Sequence, residues 1–316
     1  MTLWAECGTI QDMRFLLSRT DALGDLIVSL PVMARILSRL PDAEIHWLVR
    51  PATAPVLAGL PGVAGVHLRA GDPELAELMD RLRFDAVLAL AHRDPQVITA
   101  ARSAGVPVRV ARSRGRQIWQ ASRVLWKGRY GSGRHEASNI LDFLSPWGFQ
   151  GGVPVLPELA LTEAERRQGR ADLEAGADVR PVLGIVLRGS GSGAYPSQAW
   201  WDRAMAVAAA AGWRPLVLSP AEAGPLPPAG LRGLMGRLQA CAAVAGPSTG
   251  PVHLAAALGV PVLCLMGLRV HHGPDRWTPL GRRVQVLQYP GPEADLAGGM
   301  DRLDPAALLP HLARLA

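Results

Sequence analysis

The stretch Ala245 to Gly267, AGPSTGPVHLAAALGVPVLCLMG, reads as strand end, turn, helix, turn and strand. Cys241 to Gly246 is a short apolar run that Pro247, Ser248, Thr249 and Gly250 break. Leu254 to Leu258 is rich in Ala and Leu and predicts a helix. Gly259 stops it, and Pro261 to Met266 returns as a buried strand. Ser248 is expected as the N-cap. The small Thr249 and Gly250 leave the first N–H groups of the helix open to an anion, where the helix dipole adds about half a positive charge. Pro251 costs little in a first turn, where its N–H would have no helical partner. His253 lies one turn in, and its side chain leans back toward the N-terminus, within reach of the same anion. The stretch is expected to seat a diphosphate without a Walker lysine. An ordinary βαβ turn capped by Ser248 reads the same way from these residues alone.

Outside this stretch, apolar strands alternate with Ala- and Leu-rich helices, which predicts an α/β fold with parallel sheets. The chain has 316 residues, 49% of them hydrophobic, enough for one large domain or two ordinary ones. No repeat and no apolar run of membrane-spanning length interrupts it. Arg and Lys number 33 against 27 Asp and Glu, a net charge of +6, and Lys127 is the one lysine. No nucleic-acid motif accompanies this modest excess, so no nucleic acid is expected as partner. Three cysteines without CxxC spacing give neither a disulfide framework nor a zinc site, and suit a reducing cytoplasm.

Four parts are expected. Residues 1–12 read as a disordered extension, and 13–160 as a first Rossmann-like domain that runs into a Gly- and Pro-rich linker from Gly151. Residues 161–302 form a second such domain, and 303–316 a closing amphipathic helix. In the first domain, Arg14 to Ser18 is a short strand, and the loop Arg19 to Asp25 leads into a helix with Leu26, Leu30, Met33 and Leu37 at helical spacing. Pro31 is expected to kink or offset that helix. Asp25 stands where an N-cap would, at the carboxyl edge of a parallel sheet, so it reads either as a cap or as a general base. From Arg102 to Arg134 there are nine basic residues and no acidic one, with Trp119, Trp126 and Tyr130 interleaved. This segment reads either as a solvated helix face and loop, or as a surface for a phosphorylated acceptor or an anionic membrane. Arg112, Arg114 and Arg116 are its candidate acceptor-binding residues. His135 to Trp147 is expected as one helix.

In the second domain, a buried strand ends in Arg188-Gly189-Ser190-Gly191-Ser192-Gly193, whose spacing does not fit a dinucleotide fingerprint. A glycine loop lining a phosphate fits better, with Gly189 in it and Arg188 at its head. A helix then starts at Gln198, and Glu222 follows the next strand.

With these motifs in view, the chain resembles glycosyltransferase family 9, the bacterial heptosyltransferases of lipopolysaccharide assembly. RTDALGDLIVSLP (19–31), RHEASNILDFL (134–144), PSTGPVHLAAALGVPVLCLMG (247–267) and HHGPDRWTPLG (271–281) carry the resemblance. It implies the GT-B fold, two Rossmann-like domains facing across a cleft, with the last helix packing back on the first. It implies inverting transfer of a sugar, heptose from ADP-heptose, to a lipopolysaccharide-core acceptor, an anionic glycolipid. It implies no metal and no cofactor, and a place in the cytoplasm, peripheral to the inner membrane. Asp25 falls on the family's proposed base. Ser248, Thr249, Gly250 and His253 fall on its diphosphate turn, and Glu222 near its ribose-binding acid. Gln198 departs from a lysine that contacts the donor phosphate in many members, and Arg188 is expected to take over that charge. A nucleotide-sugar 2-epimerase and a non-catalytic nucleotide-sugar-binding relative stay open as alternatives.

Overall fold

The computed structural model describes residues 12–91, 94–113, 115–126, 133–174, 178–188, 195–219, 230–267, 273–289, 291 and 299–315, without the side chains of 116 and 117. The expected extension at 1–11 lies outside them. The chain divides into two compact units, Met1–Pro157 and Glu158–Ala316.

The first unit runs β1 (Arg14–Arg19), α1 (Leu23–Arg39), β2 (Glu44–Val49), β3 (Val63–Leu68), α2 (Asp72–Leu82), β4 (Ala86–Ala89), α3 (Gln96–Ser103), β5 (Val108–Arg112), β6 (Arg123–Leu125) and α4 (Glu136–Leu141). Its six strands are parallel, in the order β3-β2-β1-β4-β5-β6. Phe15, Leu16, Leu17, Val87 and Leu88 are fully buried in the central strands, because helices cover both faces of a parallel sheet. The edge strand β3 instead alternates half-buried and exposed residues. One core lies where Leu16, Leu48 and Val87 meet Leu75, Leu78, Met79, Val97 and Ile98. Helix α1 runs on through Pro31, which is buried within it. The expected helix from His135 to Trp147 is shorter: α4 gives way to a 3-10 turn over Asp142–Trp147. Pro146 disfavours α-helical backbone at the residue before it. Among the described residues, the basic segment leaves the end of α3 at Arg102 and is not helical as a whole. It passes from β5 through a 3-10 turn, Gly115–Trp119, into the edge strand β6. Where the first unit ends, Arg35 of α1 donates to the carbonyls of Phe149, Gly151 and Val153.

The second unit runs α5 (Glu163–Leu173), β7 (Val182–Val186), α6 (Gln198–Ala210), β8 (Arg214–Ser219), α7 (Gly230–Ala240), β9 (Ala243–Pro247), α8 (Gly250–Ala257), β10 (Val262–Met266), α9 (Pro274–Trp277), β11 (Val284–Gln288) and α10 (Leu309–Leu315). Its five strands are parallel, in the order β11-β10-β9-β7-β8. Helix α5 is polar and buries little besides Gly169 and Leu173. It packs on α7 backbone to backbone, since a Cβ on Gly169 would lie 2.2 Å from the carbonyl of Gly236. Arg232 of α7 closes this crossing by gripping Glu165 with two bonds of 2.7 and 2.6 Å, and also donates to Ala160 O. Arg166 donates to Leu161 O.

The closing helix adds to the core of the second unit. Leu308, Leu312 and Leu315 are buried in the core of the second unit with Trp200, Leu263 and Leu265. Leu308 ends the 3-10 turn Pro305–Leu308, and Leu312 and Leu315, one turn apart, lie on the face that α10 turns toward β10 and β11. Arg283 donates to Leu315 O and fixes the end of that helix.

Candidate functional site

In each sheet the strand order reverses at one place, and open α/β sheets bind ligands there, beyond the carboxyl ends of the strands. In the first sheet the reversal lies between β1 and β4, in the second between β7 and β9. The residues singled out from the sequence fall at these two places.

Asp25 follows β1. It is not the cap of α1 but lies within the first turn, since the helix begins at Leu23 after Ala22. Its Oδ2 accepts from the Ala22 N–H at 3.3 Å, so the carboxylate still satisfies a helix-end donor from inside the helix. Its other oxygen, Oδ1, accepts from Arg19 Nη2 at 2.7 Å. Arg19 closes β1 and is fully buried. It also donates to the backbone of Asp25 and to Leu90 O just beyond β4, and lies 3.5 Å from Asp21. One guanidinium thus spans the reversal point and orients Asp25, which keeps 22% of its side chain exposed. The sequence reading quotes Arg19 within a motif and gives it no role. Its signal was an arginine ending an otherwise apolar strand.

That pattern repeats along the same edge. Arg50 follows β2, Arg69 follows β3 and Arg112 ends β5. Arg69 is bound to Asp94 and Asp72, and Asp94 also accepts from Thr20 Oγ1 at 3.1 Å. Arg112 is 8% exposed and bound to the fully buried Glu136 at 2.8 Å, with its guanidinium over the Phe143 ring. It is therefore a part of the first unit's interior and not, as expected, a surface contact for an acceptor. Arg114 and the Arg116 side chain lie outside the described residues. Arg50 is exposed, and donates through Nε to Thr20 O at 2.5 Å, which leaves its terminal nitrogens facing solvent.

In the second sheet, Ile185 of β7 pairs with Ala245 of β9. Arg188 and Ser248 each follow three residues later (185 to 188, 245 to 248), on adjacent chains at the same edge. Gly246 makes this approach possible, because a Cβ there would stand 2.7 Å from Val186 O. The N-cap of α8 is Thr249, not Ser248. Ser248 Oγ turns away and donates to Trp277 O at 2.9 Å, while His253 Nε2 lies 3.1 Å from the same oxygen. A hydroxyl has one proton, so with it on Trp277 O the imidazole donates to Ser248. His253 is 2% exposed and edge-on to Trp277. It therefore fixes the turn from behind instead of reaching out to an anion. Thr249 Oγ1 is buried without a hydrogen-bond partner among the described residues. With Pro251 lacking an N–H, the N–H groups of Gly250 and Val252 are the donors of this first turn left without an acceptor among the described residues. Trp277 of α9 was not singled out, although the segment around it carries part of the resemblance.

Arg188 is exposed and leaves β7 just past Leu187, whose carbonyl accepts from the Trp201 indole at 3.2 Å. The second indole, Trp200, donates to Leu303 O at 2.6 Å. Gln198 opens α6 but lies along it, donating to Asp202 at 2.8 Å. Gly189 and Glu222 lie outside the described residues. Among the described residues no three His, Cys, Asp or Glu side chains are grouped to hold a metal ion, and no helix is long and apolar enough to cross a membrane.

Residues 202–297 match the family model of glycosyltransferase family 9 (heptosyltransferase). No curated protein matches the sequence. Among solved structures, a family 9 glycosyl transferase from Veillonella parvula DSM 2008 superposes with a TM-score of 0.80 at 14% identity, covering 98% of each chain. The E. coli ADP-heptose lps heptosyltransferase II gives 0.78 at 18% identity, over 96% of this chain and 98% of that one. E. coli heptosyltransferase WaaC with ADP gives 0.70 at 17% identity, over 96% and 100%. The resemblance read from the sequence therefore holds: this chain matches glycosyltransferase family 9 over residues 202–297, and has the GT-B fold of the solved heptosyltransferases along its length.

Proposed function

We propose that the chain is an inverting, metal-independent glycosyltransferase that moves heptose from ADP-heptose to a lipopolysaccharide-core or related anionic glycan acceptor. The observation that carries this reading is the oriented carboxylate at the reversal point of the first sheet. Asp25 Oδ1 is taken by Arg19, and Oδ2, which among the described residues accepts a single long bond from Ala22, is left to receive a proton. In the reaction, an acceptor hydroxyl attacks the anomeric carbon as its proton passes to Asp25. The bond from that carbon to the diphosphate oxygen breaks, and the nucleoside diphosphate leaves with the charge.

The second unit supplies what that leaving group needs. The Gly250 and Val252 N–H groups and Thr249 Oγ1 offer hydrogen bonds at a positive helix end, and such preorganised donors are worth about 3–4 kcal/mol each when removed. Arg188 brings the full charge that Gln198 lacks. Support for an adenine donor comes from similar solved structures whose ligands are ADP and ADP-2-deoxy-2-fluoro heptose. For the acceptor, Arg50 takes the place expected of Arg112, because its terminal nitrogens face solvent at the Asp25 edge. The scheme uses no cofactor, and an acceptor of this class would be met at the inner face of the membrane.

The test is a thermal-shift panel of ADP-, GDP-, UDP- and CDP-sugars, followed by turnover with Asp25→Asn. A single preference for ADP-sugars, with transfer down about 100-fold or more at unchanged donor affinity, is expected. An Asn variant with wild-type turnover overturns the assignment of the base.

A further inference from the structure

We propose that His46 and His67 form a proton-operated latch, which holds strand β3 to β2 and releases it in acid. His46 lies on β2 and His67 on β3, with His46 Nδ1 and His67 Nε2 3.0 Å apart. The ring centres are 5.3 Å apart, and the rings lie within 14° of parallel. The difference between the two distances equals one ring radius at each end, so both nitrogens stand on the line between the ring centres. The rings therefore meet end to end, which is the geometry of a straight N–H···N hydrogen bond. A metal ion would need both lone pairs to converge on a third point, and here the two nitrogens face each other.

Gly65 makes room for the pair. It stands opposite His46 in the strand register, and a Cβ on it would lie 2.5 Å from His46 Nδ1 and 3.2 Å from His67 Nε2. A glycine within a strand weakens it and often marks a close approach, and the approach here is that of the two imidazoles.

The neighbouring charges decide where the protons sit. Glu44 Oε2 lies 3.6 Å from His46 Nε2, too far for a hydrogen bond but near enough to favour a proton there. His46 Nδ1 is then bare and accepts from His67 Nε2–H. One added proton goes to His67 Nδ1 and leaves this bond intact. The next can go only to His46 Nδ1, where it sets two N–H groups against each other, and the pair must part. Burial holds both imidazoles below the ordinary histidine range. The charges of His46 and of Arg81 from α2 press His67 further down. Arg14 from β1 acts on His46 in the same sense, while Glu44, itself held low by Arg14, stays ionised and opposes it. Phe84, edge-on to His46, adds no charge.

Release of β3 would be felt at the carboxyl edge of the sheet. Two residues past His67, Arg69 grips Asp94 and Asp72, and Asp94 holds Thr20 in the loop before Asp25. The latch does not rest on the transfer reading, since its test contains neither donor nor acceptor. A histidine kept neutral in the closed pair, and titrating near pH 6.5 in the open one, favours opening about twentyfold more at pH 5 than at pH 7. Hydrogen exchange of the full chain, corrected for the intrinsic pH dependence of exchange, should show protection over residues 63–69 falling about tenfold between those values, with β7 and β9 unchanged. His67→Gln offers His46 Nδ1 both an N–H and a carbonyl, so it suits either protonation state and should keep β3 protected at both pH values. Gly65→Ala displaces the His46 ring without changing any charge. It should lower β3 protection at pH 7 and flatten its pH dependence. Wild-type protection of β3 that stays level from pH 7 to 5 overturns the proposal, as does an acid loss that persists undiminished in His67→Gln. Added zinc that raises β3 protection at pH 7 would assign the pair to a metal and also overturn it.

Discussion

Exchanging Glu136 for Gln leaves the Arg112 guanidinium buried without its counter-charge. Arg112 has 10% of its side chain exposed and Glu136 none, with 2.8 Å between them. Breaking such a pair by removing one partner costs about 3–5 kcal/mol, most of it the cost of the orphaned charge. A unit of about 150 residues loses about 2–4 °C for each kcal/mol, so its melting temperature should fall by about 6–20 °C. Arg112→Gln should do the same from the other side. Replacing both residues with Leu should recover most of the loss, because a well-packed apolar pair avoids the desolvation of two charges. Differential scanning calorimetry suits the assay, since two units need not melt together. An Arg112→Gln protein melting within about 2 °C of wild type, with a raised acceptor KM, would refute the reasoning. It would return Arg112 to the role that its position in the basic segment suggested.

Three further outcomes follow from the site and its supports. Arg188→Ala should weaken nucleoside-diphosphate binding by about 1.5–3 kcal/mol in a calorimetric titration, and Gln198→Lys in that background should restore part of it. Arg50→Gln should raise acceptor KM about tenfold or more, the scale of a lost hydrogen bond to a charged group, with kcat and melting temperature unchanged. The Arg232 guanidinium holds the Glu165 carboxyl down to about 2. The folded value lies below the unfolded one, so this pair stabilises the second unit fully above about pH 4.5 and progressively less as the pH falls toward 2. Acid melting curves of wild type and Glu165→Gln should accordingly converge over that window.

Much of this was legible in the sequence, wherever one strand or one helix decides the matter. The run from Ala245 to Gly267 yields β9, α8 and β10 because a buried strand, a helix of small residues and a glycine stop are local signals. The cap was misread because Ser248 and Thr249 are equally good candidates. The choice falls to Trp277, whose carbonyl takes the Ser248 hydroxyl from 29 positions away. Arg112 was misread for a related reason. A basic residue among basic neighbours looks solvated until its partner, Glu136, arrives from 24 positions further along the chain. Arg19 shows the reverse case. Its burial follows from closing a central strand, but its link to Asp25 depends on the turn that brings α1 back over β1. The contact between Gly169 and Gly236 left no apolar pattern to find, because glycine contributes a surface without a side chain.

The arginine clamps on either side of the unit boundary have a mechanical consequence. Arg35 holds the carbonyls of Phe149, Gly151 and Val153, and Arg232 and Arg166 hold those of Ala160 and Leu161. Residues 154–159 remain between the two grips, and Pro154 and Pro157 each lock one φ torsion among them. Each unit is thereby tied off at its own end by a side chain that reaches back to the departing backbone, so the length of the connection is set by where the two guanidinium groups grip and not by where the outer helices stop.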